Sequence, residues 1–144
     1  MWSALAPETS TWPDENPHLI GSRCRTCQAT TFPVQHRCPR CGGDQTFAVL
    51  LPRHGRLVAW TTQGFPPGPP YAGPTGANFV PFGVGLVQLG DVIRIEGRLT
   101  ENDPAKLDFG MPVELTMVPL FTDDDGHEVL TFAFQPVHGR EIAR

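Results

Sequence analysis

The four cysteines of this 144-residue chain form two Cys-x-x-Cys pairs separated by ten residues, and this pattern constrains the fold more than any other feature. Each pair can form a tight turn whose two sulfurs point towards one ion, and a short hairpin can bring the second pair opposite the first. The spacing therefore predicts a small ribbon that holds a metal ion with four thiolates. The predicted ligands are Cys24, Cys27, Cys38 and Cys41.

Zinc is the metal that we expect in this site, in a structural role, because four protein ligands leave no coordination position open for a substrate. Rubredoxin-type iron is the alternative, since both metals accept four thiolates. Gly42 and Gly43 follow the second pair, where the backbone must turn towards sulfur without a Cβ in the way. Gln28 has the corresponding position after the first pair and departs from the usual glycine.

Charge and hydropathy exclude several classes of partner. The net charge of −4, with ten acids and three bases between residues 91 and 128, disfavours binding to a phosphate backbone, so we expect no nucleic-acid partner. No apolar run reaches the roughly 18–20 residues of a membrane span. Residues 1–17 lack the basic and apolar parts of a secretory signal. We therefore expect a cytoplasmic protein with no membrane partner, where cysteines bind metal rather than pair as disulfides.

Enzyme motifs are absent from the sequence. The three serines all lie near the N-terminus, and there is no G-x-S-x-G, P-loop, G-x-G-x-x-G or H-E-x-x-H motif. These absences favour a binding or helper module over an enzyme with catalytic residues of its own.

Differences in composition and motifs along the sequence divide the chain into three predicted parts: an extended arm with one helical turn (1–22), the ribbon (23–46) and a domain of short strands (47–144). The 15 glycines and 16 prolines favour turns and short strands over long helices. Five strands with a short capped helix at 104–107 between the third and fourth give the order of an OB-fold barrel. The predicted strands are residues 56–62 with a lead-in at 47–51, then 82–89 with a bulge or bend at Gly83 and Gly85, 92–99, 113–121 and 128–134.

Two further features are candidates for partner or ligand contact. Glycine or proline fills ten of the eighteen positions in residues 64–81, and such a long irregular insertion suits a contact surface, although packing on its own barrel is the alternative. Its apolar anchors would be Phe65, Tyr71, Phe79 and Phe82. Arginines on the ribbon, among them Arg25 and Arg40, could contact a phosphate-bearing ligand or an acidic partner, or form a solvated face.

Several motifs together resemble one known family, that of zinc-ribbon and OB-fold proteins long known only as a domain of unknown function, whose members accompany thiolase-like acyl-CoA enzymes. The resemblance extends from Leu19 to Val137. The motifs that carry it are Cys24-x-x-Cys27, Thr31-Phe32-Pro33, Cys38-Pro39-x-Cys41-Gly42 and Gly110-Met111-Pro112-Val113. Residues 79–85 and 99–104 are similar to the actinobacterial steroid side-chain branch of the family.

The resemblance implies a helper subunit without catalytic residues. Its partner would be a lipid-transfer-protein-like aldolase of thiolase fold, which holds most of the acyl-CoA substrate and performs retro-aldol cleavage of a steroid side-chain hydroxyacyl-CoA. A hetero-oligomer of two plus two subunits is expected. The alternatives are an acyl-CoA-binding or channelling module between enzymes and, less favoured, an OB-fold protein that binds single-stranded nucleic acid.

Overall fold

The computed structural model describes residues 2–4, 7–63 and 81–137. Over these residues the chain forms nine β-strands and two 3₁₀ turns. The strands are β1 (Trp2–Ala4), β2 (Ile20–Cys24), β3 (Thr30–Thr31), β4 (Thr46–Leu50), β5 (His54–Gln63), β6 (Phe82–Leu89), β7 (Ile93–Leu99), β8 (Pro112–Thr122) and β9 (Glu128–Pro136). The turns are Pro7–Thr9 and Pro104–Lys106. The described residues contain no helix with the length and apolarity needed to cross a bilayer.

A three-stranded antiparallel sheet in the order β3-β2-β4 forms the ribbon. Strand β4 contains most of the run predicted as a lead-in to the first barrel strand, and this assignment is wrong, because β4 pairs along its whole length with β2. The chain leaves the ribbon at Leu51, which is buried, and Pro52 cannot donate a hydrogen bond to continue the ladder. The first barrel strand therefore begins only at His54.

The five predicted barrel strands are confirmed as β5 to β9. Strands β5, β6 and β7 form an antiparallel meander, β7 pairs in parallel with β9, and β8 pairs with both β9 and β5. The pairing of β8 with β5 closes the barrel, as in an OB-fold. The short capped turn is also confirmed, since the Asp103 Oδ1 atom accepts a hydrogen bond of 3.0 Å from the amide of Ala105.

The bulge predicted at Gly83 and Gly85 lies elsewhere. Strand β6 alternates regularly between half-buried and buried residues, and the register shift occurs on β5, between Leu57 and Ala59. Glycine is required on β6 for close packing instead. A Cβ on Gly85 would lie 2.7 Å from Leu57 Cδ1 and 2.8 Å from Leu99 Cδ2, distances that real Cβ atoms do not show.

The core fills the barrel and extends towards the ribbon. Its fully buried side chains come from β5, β6, β8 and β9 and from Leu19 and Leu51 at the ribbon side, with Phe134 the largest. The predicted alternation on β7 is confirmed, since Ile95 and Leu99 are buried while Arg94 and Glu96 are exposed. A row of aromatic rings joins the ribbon to this core. The Phe32 ring meets the Phe132 ring edge to face at 5.7 Å, and Phe132 meets Phe134 at 6.1 Å.

The N-terminal arm has one 3₁₀ turn, as predicted, but it is not extended throughout: Ser10 and Leu19 form an antiparallel bridge, and the amide of Thr11 donates to the carbonyl of His18 at 2.9 Å. Its strand β1 pairs in parallel with the first residues of β9, whereas β7 pairs only with Ala133 and Phe134 further along β9. The arm is also tied down by Arg53, whose Nε donates to the carbonyl of Pro17 at 2.9 Å and whose Nη2 donates to the carbonyl of Leu115 at 3.0 Å. One guanidinium thus connects the arm to β8.

Candidate metal centre

The four cysteine sulfurs lie together at one end of the ribbon. All four Sγ atoms are within 4.8 Å of one another. Cys24 Sγ is 3.6 Å from Cys41 Sγ, and Cys27 Sγ is 3.5 Å from Cys38 Sγ. These separations exclude disulfides, whose sulfurs lie about 2.05 Å apart. The cysteine spacing thus correctly predicts that the four thiols converge.

Two equivalent turns hold the sulfurs in place. The amide of Gln28 donates to the carbonyl of Cys24 at 2.9 Å, and the amide of Gly42 donates to the carbonyl of Cys38 at 2.8 Å. Gln28 and Gly42 both have left-handed backbones, with φ of 66° and 74°. The glycine preference that the sequence suggested at this position therefore has its cause in the backbone, and Gln28 adopts the same conformation with a side chain present.

The pKa values of two thiols in the cluster are lowered, mainly by hydrogen bonds from backbone amides, whereas the pKa of a third is raised. The amide of Cys27 donates to the Cys24 sulfur and outweighs the opposing effect of burial, so the pKa of Cys24 is lowered to about 6. The amide of Cys41 lowers the pKa of Cys38 in the same way, again against burial. The amide of Gly43 also acts to lower the pKa of Cys41, but the neighbouring thiols and burial outweigh it and raise that pKa to about 11. The hydrogen bonds of the protein therefore favour the thiolate forms of Cys24 and Cys38 but not that of Cys41.

The donor set fits a tetrahedral metal ion. Zinc–sulfur bonds of about 2.3 Å in a tetrahedron place the sulfurs about 3.8 Å apart, close to the two separations given above. Cys24 and Cys38 are buried, while Cys27 is half-buried and Cys41 is exposed, so the site lies at the surface of the ribbon but is closed by its own ligands. Such an arrangement holds a structural ion and offers no open position for a reacting group.

Replacing Gln28 with glycine is expected to stabilise the ribbon by about 0.5–1 kcal/mol, because a left-handed backbone costs more for a residue with a Cβ. The substitution loses only an exposed hydrogen bond from Gln28 Nε2 to the Arg25 carbonyl at 3.3 Å. Thermal melts and the rate of metal transfer to a chelator would measure the effect. Gly42→Ala is the matched reverse variant, since its φ is also positive and its Cβ would meet nothing within 4 Å. If both variants shifted stability in the same direction, backbone strain would not be the cause.

The predicted contact residues fall into two groups. Phe65, Tyr71 and Phe79 lie outside the described residues. Phe82 is half-buried, with the guanidinium of Arg98 over its ring at 4.0 Å, and these two side chains line a cleft of about 250 Å³ at one end of the barrel.

The two ribbon arginines singled out by the sequence are both exposed. The guanidinium of Arg25 lies 4.4 Å from the centre of the Phe47 ring. Arg40 lies in the second cysteine turn. Nearby, Arg37 Nη1 donates to the carbonyl of Gly42 at 3.1 Å, so one of the ribbon arginines supports the turn that positions a cysteine.

Sequence reasoning missed an aromatic pair on the barrel surface. The rings of Trp60 and Phe109 lie 4.5 Å apart with an interplanar angle of 38°, and Phe109 is 75% exposed. The two residues are distant in sequence, and no local pattern connects them. The signal that could have found Phe109 is its place in a loop between Asp108 and Gly110, where an apolar side chain has little to pack against.

A polar cluster at the base of β5 was also missed. Glu114 Oε2 lies 3.1 Å from His54 Nε2, and Glu114 Oε1 accepts a hydrogen bond of 3.0 Å from Gln135 Nε2. Arg53 Nη1 is 4.0 Å from the same carboxylate. These side chains connect β5, β8 and β9 where the barrel closes, and we assign them a structural role.

Comparison with known proteins agrees with this architecture. Residues 12–46 match the family model "ChsH2, rubredoxin-like zinc ribbon domain", and residues 48–118 match "ChsH2, C-terminal OB-fold domain". Benzoylsuccinyl-CoA thiolase subunit BbsA of Thauera aromatica is 28% identical over 84% of this chain and 78% of its own length. A DUF35 domain-containing scaffold protein of Methanocaldococcus jannaschii is 26% identical over 83% of this chain and 82% of its own length.

A solved structure gives the same result at the level of the fold. One chain of the Ltp2-ChsH2(DUF35) aldolase matches this structure with a TM-score of 0.59 and 26% sequence identity, over 83% of this chain and 84% of that one. Both family models lie on the two structural units described above, and together they span most of the described residues. The chain belongs to the ChsH2 (DUF35) family of zinc-ribbon and OB-fold proteins.

Proposed function

We propose that this chain is a non-catalytic subunit that binds and activates a thiolase-fold acyl-CoA enzyme. The observation that carries the proposal is that this chain is similar, over more than three quarters of the length, in sequence to a thiolase subunit and in fold to a chain of the Ltp2-ChsH2(DUF35) aldolase. A DUF35 scaffold protein is similar over a comparable length, which supports an assembling role over a chemical one. We place the complex in the cytoplasm, where the thiols of the ribbon stay reduced.

Zinc is the metal we propose for the four thiolates of Cys24, Cys27, Cys38 and Cys41. The sulfur separations of 3.5 and 3.6 Å and the match to a zinc ribbon model support it. The ion would fix the two cysteine turns against each other and so maintain the shape of the ribbon. Metal analysis of the purified protein would distinguish zinc from iron, since a four-thiolate iron site is coloured and a zinc site is not.

The contacts between the ribbon and the barrel explain how such a subunit could act on its partner. Phe32 of the ribbon packs on Phe132 of β9, and the amide of Leu51 donates to the carbonyl of Leu19 at 2.9 Å beside the barrel core. Because contacts of this kind join the units, we propose that the arm, the ribbon with its strands β2 to β4 and the barrel domain from His54 onward present one continuous surface. A rigid surface lowers the entropy cost of binding and can hold a partner in its active conformation.

Retro-aldol cleavage of a steroid side-chain hydroxyacyl-CoA is the reaction we propose for the complex, with two copies of each subunit. The similarity of residues 79–85 and 99–104 to the steroid branch supports this choice, together with the match to an aldolase chain. In this assignment the thiolase-fold subunit holds most of the acyl-CoA and supplies every catalytic group.

Enzyme activity after mixing the two subunits tests the proposed helper function. The purified chain alone should consume no acyl-CoA. Mixing it with a thiolase-fold protein that co-purifies with it should give cleavage of the hydroxyacyl-CoA, which chromatography would follow. The thiolase-fold protein alone is the control, and its activity should be far lower than that of the mixture. Turnover by the isolated chain would overturn the helper assignment. If the mixture showed thiolytic cleavage and no retro-aldol cleavage, the helper role would stand and thiolysis would replace retro-aldol cleavage as the proposed reaction.

Direct binding of acyl-CoA is a second candidate function, favoured by one observation. Arg25 and Arg40 are exposed on a ribbon that has no acidic residue between positions 23 and 41, so a phosphate-bearing ligand would meet little repulsion there. Calorimetry with the isolated chain and coenzyme A esters tests this candidate. Heat of binding that disappears when Arg25 and Arg40 are changed to glutamine would support it, and no heat with any ester would remove it.

A further inference from the structure

Among the residues that the structure describes, strand β5 has one edge that is only partly paired. Its inner edge pairs with β6 from Gly55 to Gln63, whereas its outer edge pairs with β8 only from His54 to Arg56. The segment before β8 extends this pairing by one residue, since Leu57 donates to the carbonyl of Met111 at 3.0 Å and accepts from Gly110 at 2.7 Å. Within the described part of the chain, nothing hydrogen-bonds to the outer edge beyond Leu57.

The backbone groups on this edge can be assigned from the alternation of the strand. The N–H and C=O groups of Leu57 point outward, and successive residues of a strand alternate between its two edges. The register shift between Leu57 and Ala59 places one extra residue on β5, which moves the alternation by one position. The outward-facing residues beyond the shift are therefore Trp60 and Thr62, which offer two N–H donors and two carbonyl acceptors.

The register shift between Leu57 and Ala59 lies at the start of this edge, and the residues beyond it lack the charges and prolines that usually prevent strand addition. Sheet edges in natural proteins are blocked by charges, prolines or bulges that twist the strand away. Residues 58–62 contain neither a charge nor a proline, and beyond the shift they pair regularly with β6 up to Gly83. By contrast, the part of β8 that extends past its pairing with β5 has the exposed Pro119.

An exposed aromatic ring lies beside this edge. The Phe109 side chain is 75% exposed and stacks on Trp60, which also packs against the core. Aromatic side chains in such positions act as anchors in protein interfaces. The same few residues thus combine backbone groups that pair with no other described residue with an apolar anchor, which are the two elements of recognition by strand addition.

We propose that the outer edge of β5 from Trp60 to Thr62, together with Phe109, binds an extended and uncharged segment of the thiolase-fold partner, which adds one strand to the barrel sheet. The proposal rests on the proposed function for the existence of that partner. Unpaired backbone donors and acceptors select an extended backbone, and the absence of charge from residues 58–62 selects an uncharged one. A second copy of this chain is a poorer occupant, because two chains of net charge −4 repel each other.

The experiment compares two variants with two matched controls in titrations against the thiolase-fold subunit. Thr62→Pro removes the outward N–H while leaving the pairing with β6, and Phe109→Ala removes the exposed ring. Each should weaken binding by about tenfold or more. Thr62→Val keeps the N–H group, and Leu50→Ala removes a side chain that is 60% exposed on the ribbon; both should bind like the wild type.

Each outcome has a distinct consequence. Thermal melts identify any loss of folding in Thr62→Pro, and Phe109→Ala tests the proposal independently because its side chain is exposed. Unchanged binding of Phe109→Ala and of folded Thr62→Pro would overturn the proposed docking edge while leaving the helper function intact. A wild-type dimer that dissociates in Thr62→Pro would assign the edge to a second copy instead. No binding by the wild-type chain would remove the proposed function itself.

Discussion

Replacing Cys38 with serine is expected to release the bound metal and unfold the ribbon while most of the barrel stays folded. A hydroxyl is a much weaker ligand than a thiolate, and four-ligand sites of this kind supply about 10–16 kcal/mol of folding free energy. The ribbon has few buried apolar side chains to compensate, whereas the core cluster is formed mainly by β5 to β9. Metal content by mass spectrometry and circular dichroism would measure the two effects, and complex formation with the thiolase-fold subunit should weaken in parallel.

The control for this prediction is a ribbon variant that keeps all four thiols. Val34→Ser changes a residue that is 37% exposed and is not one of the four metal-binding residues, so this variant should retain the metal and the fold. Chelation of the wild-type protein should reproduce the Cys38→Ser result without any substitution. Normal metal content and normal complex formation in Cys38→Ser would contradict a structural metal held by four thiolates.

Local patterns predicted those features whose cause is also local. The cysteine turns need only four or five consecutive residues, and the cap at Asp103 needs only the adjacent Pro104 and Ala105. Alternation on β7 follows from the period of a strand with one buried face. For each of these features, the residues that determine the structure are neighbours in the sequence.

Features that depend on the choice between distant partners were not predictable in this way. Strand β4 has a strand-like sequence, but nothing in that sequence shows that it pairs with β2 in the ribbon and not in the barrel. Gly85 signals either a bulge or close packing, and the Leu57 and Leu99 side chains that decide between them come from other strands. The contact between the Trp60 and Phe109 rings depends on how the chain after the 3₁₀ turn Pro104–Lys106 comes to lie beside β5.

Replacing Phe134 with alanine is expected to cost about 3–5 kcal/mol of the free energy of unfolding, a large fraction of the roughly 5–15 kcal/mol of a typical domain. Its side chain is fully buried in the barrel, and its carbonyl accepts a hydrogen bond of 3.0 Å from Thr100. The ring also contacts Phe132, which packs on Phe32 of the ribbon, so the cavity would loosen the junction between the two units. Urea denaturation at saturating metal would measure the loss.

Phe109→Ala is the matched control, since it makes the same chemical change at a position that is 75% exposed. It removes only the ring contact with Trp60, worth about 0.5–1.5 kcal/mol. Equal losses in the two variants would contradict a closed barrel with Phe134 at its centre. The pair also separates stability from recognition. If the proposed docking edge is correct, Phe109→Ala is the variant that stays folded and binds the partner weakly, whereas Phe134→Ala loses binding only to the extent that it unfolds.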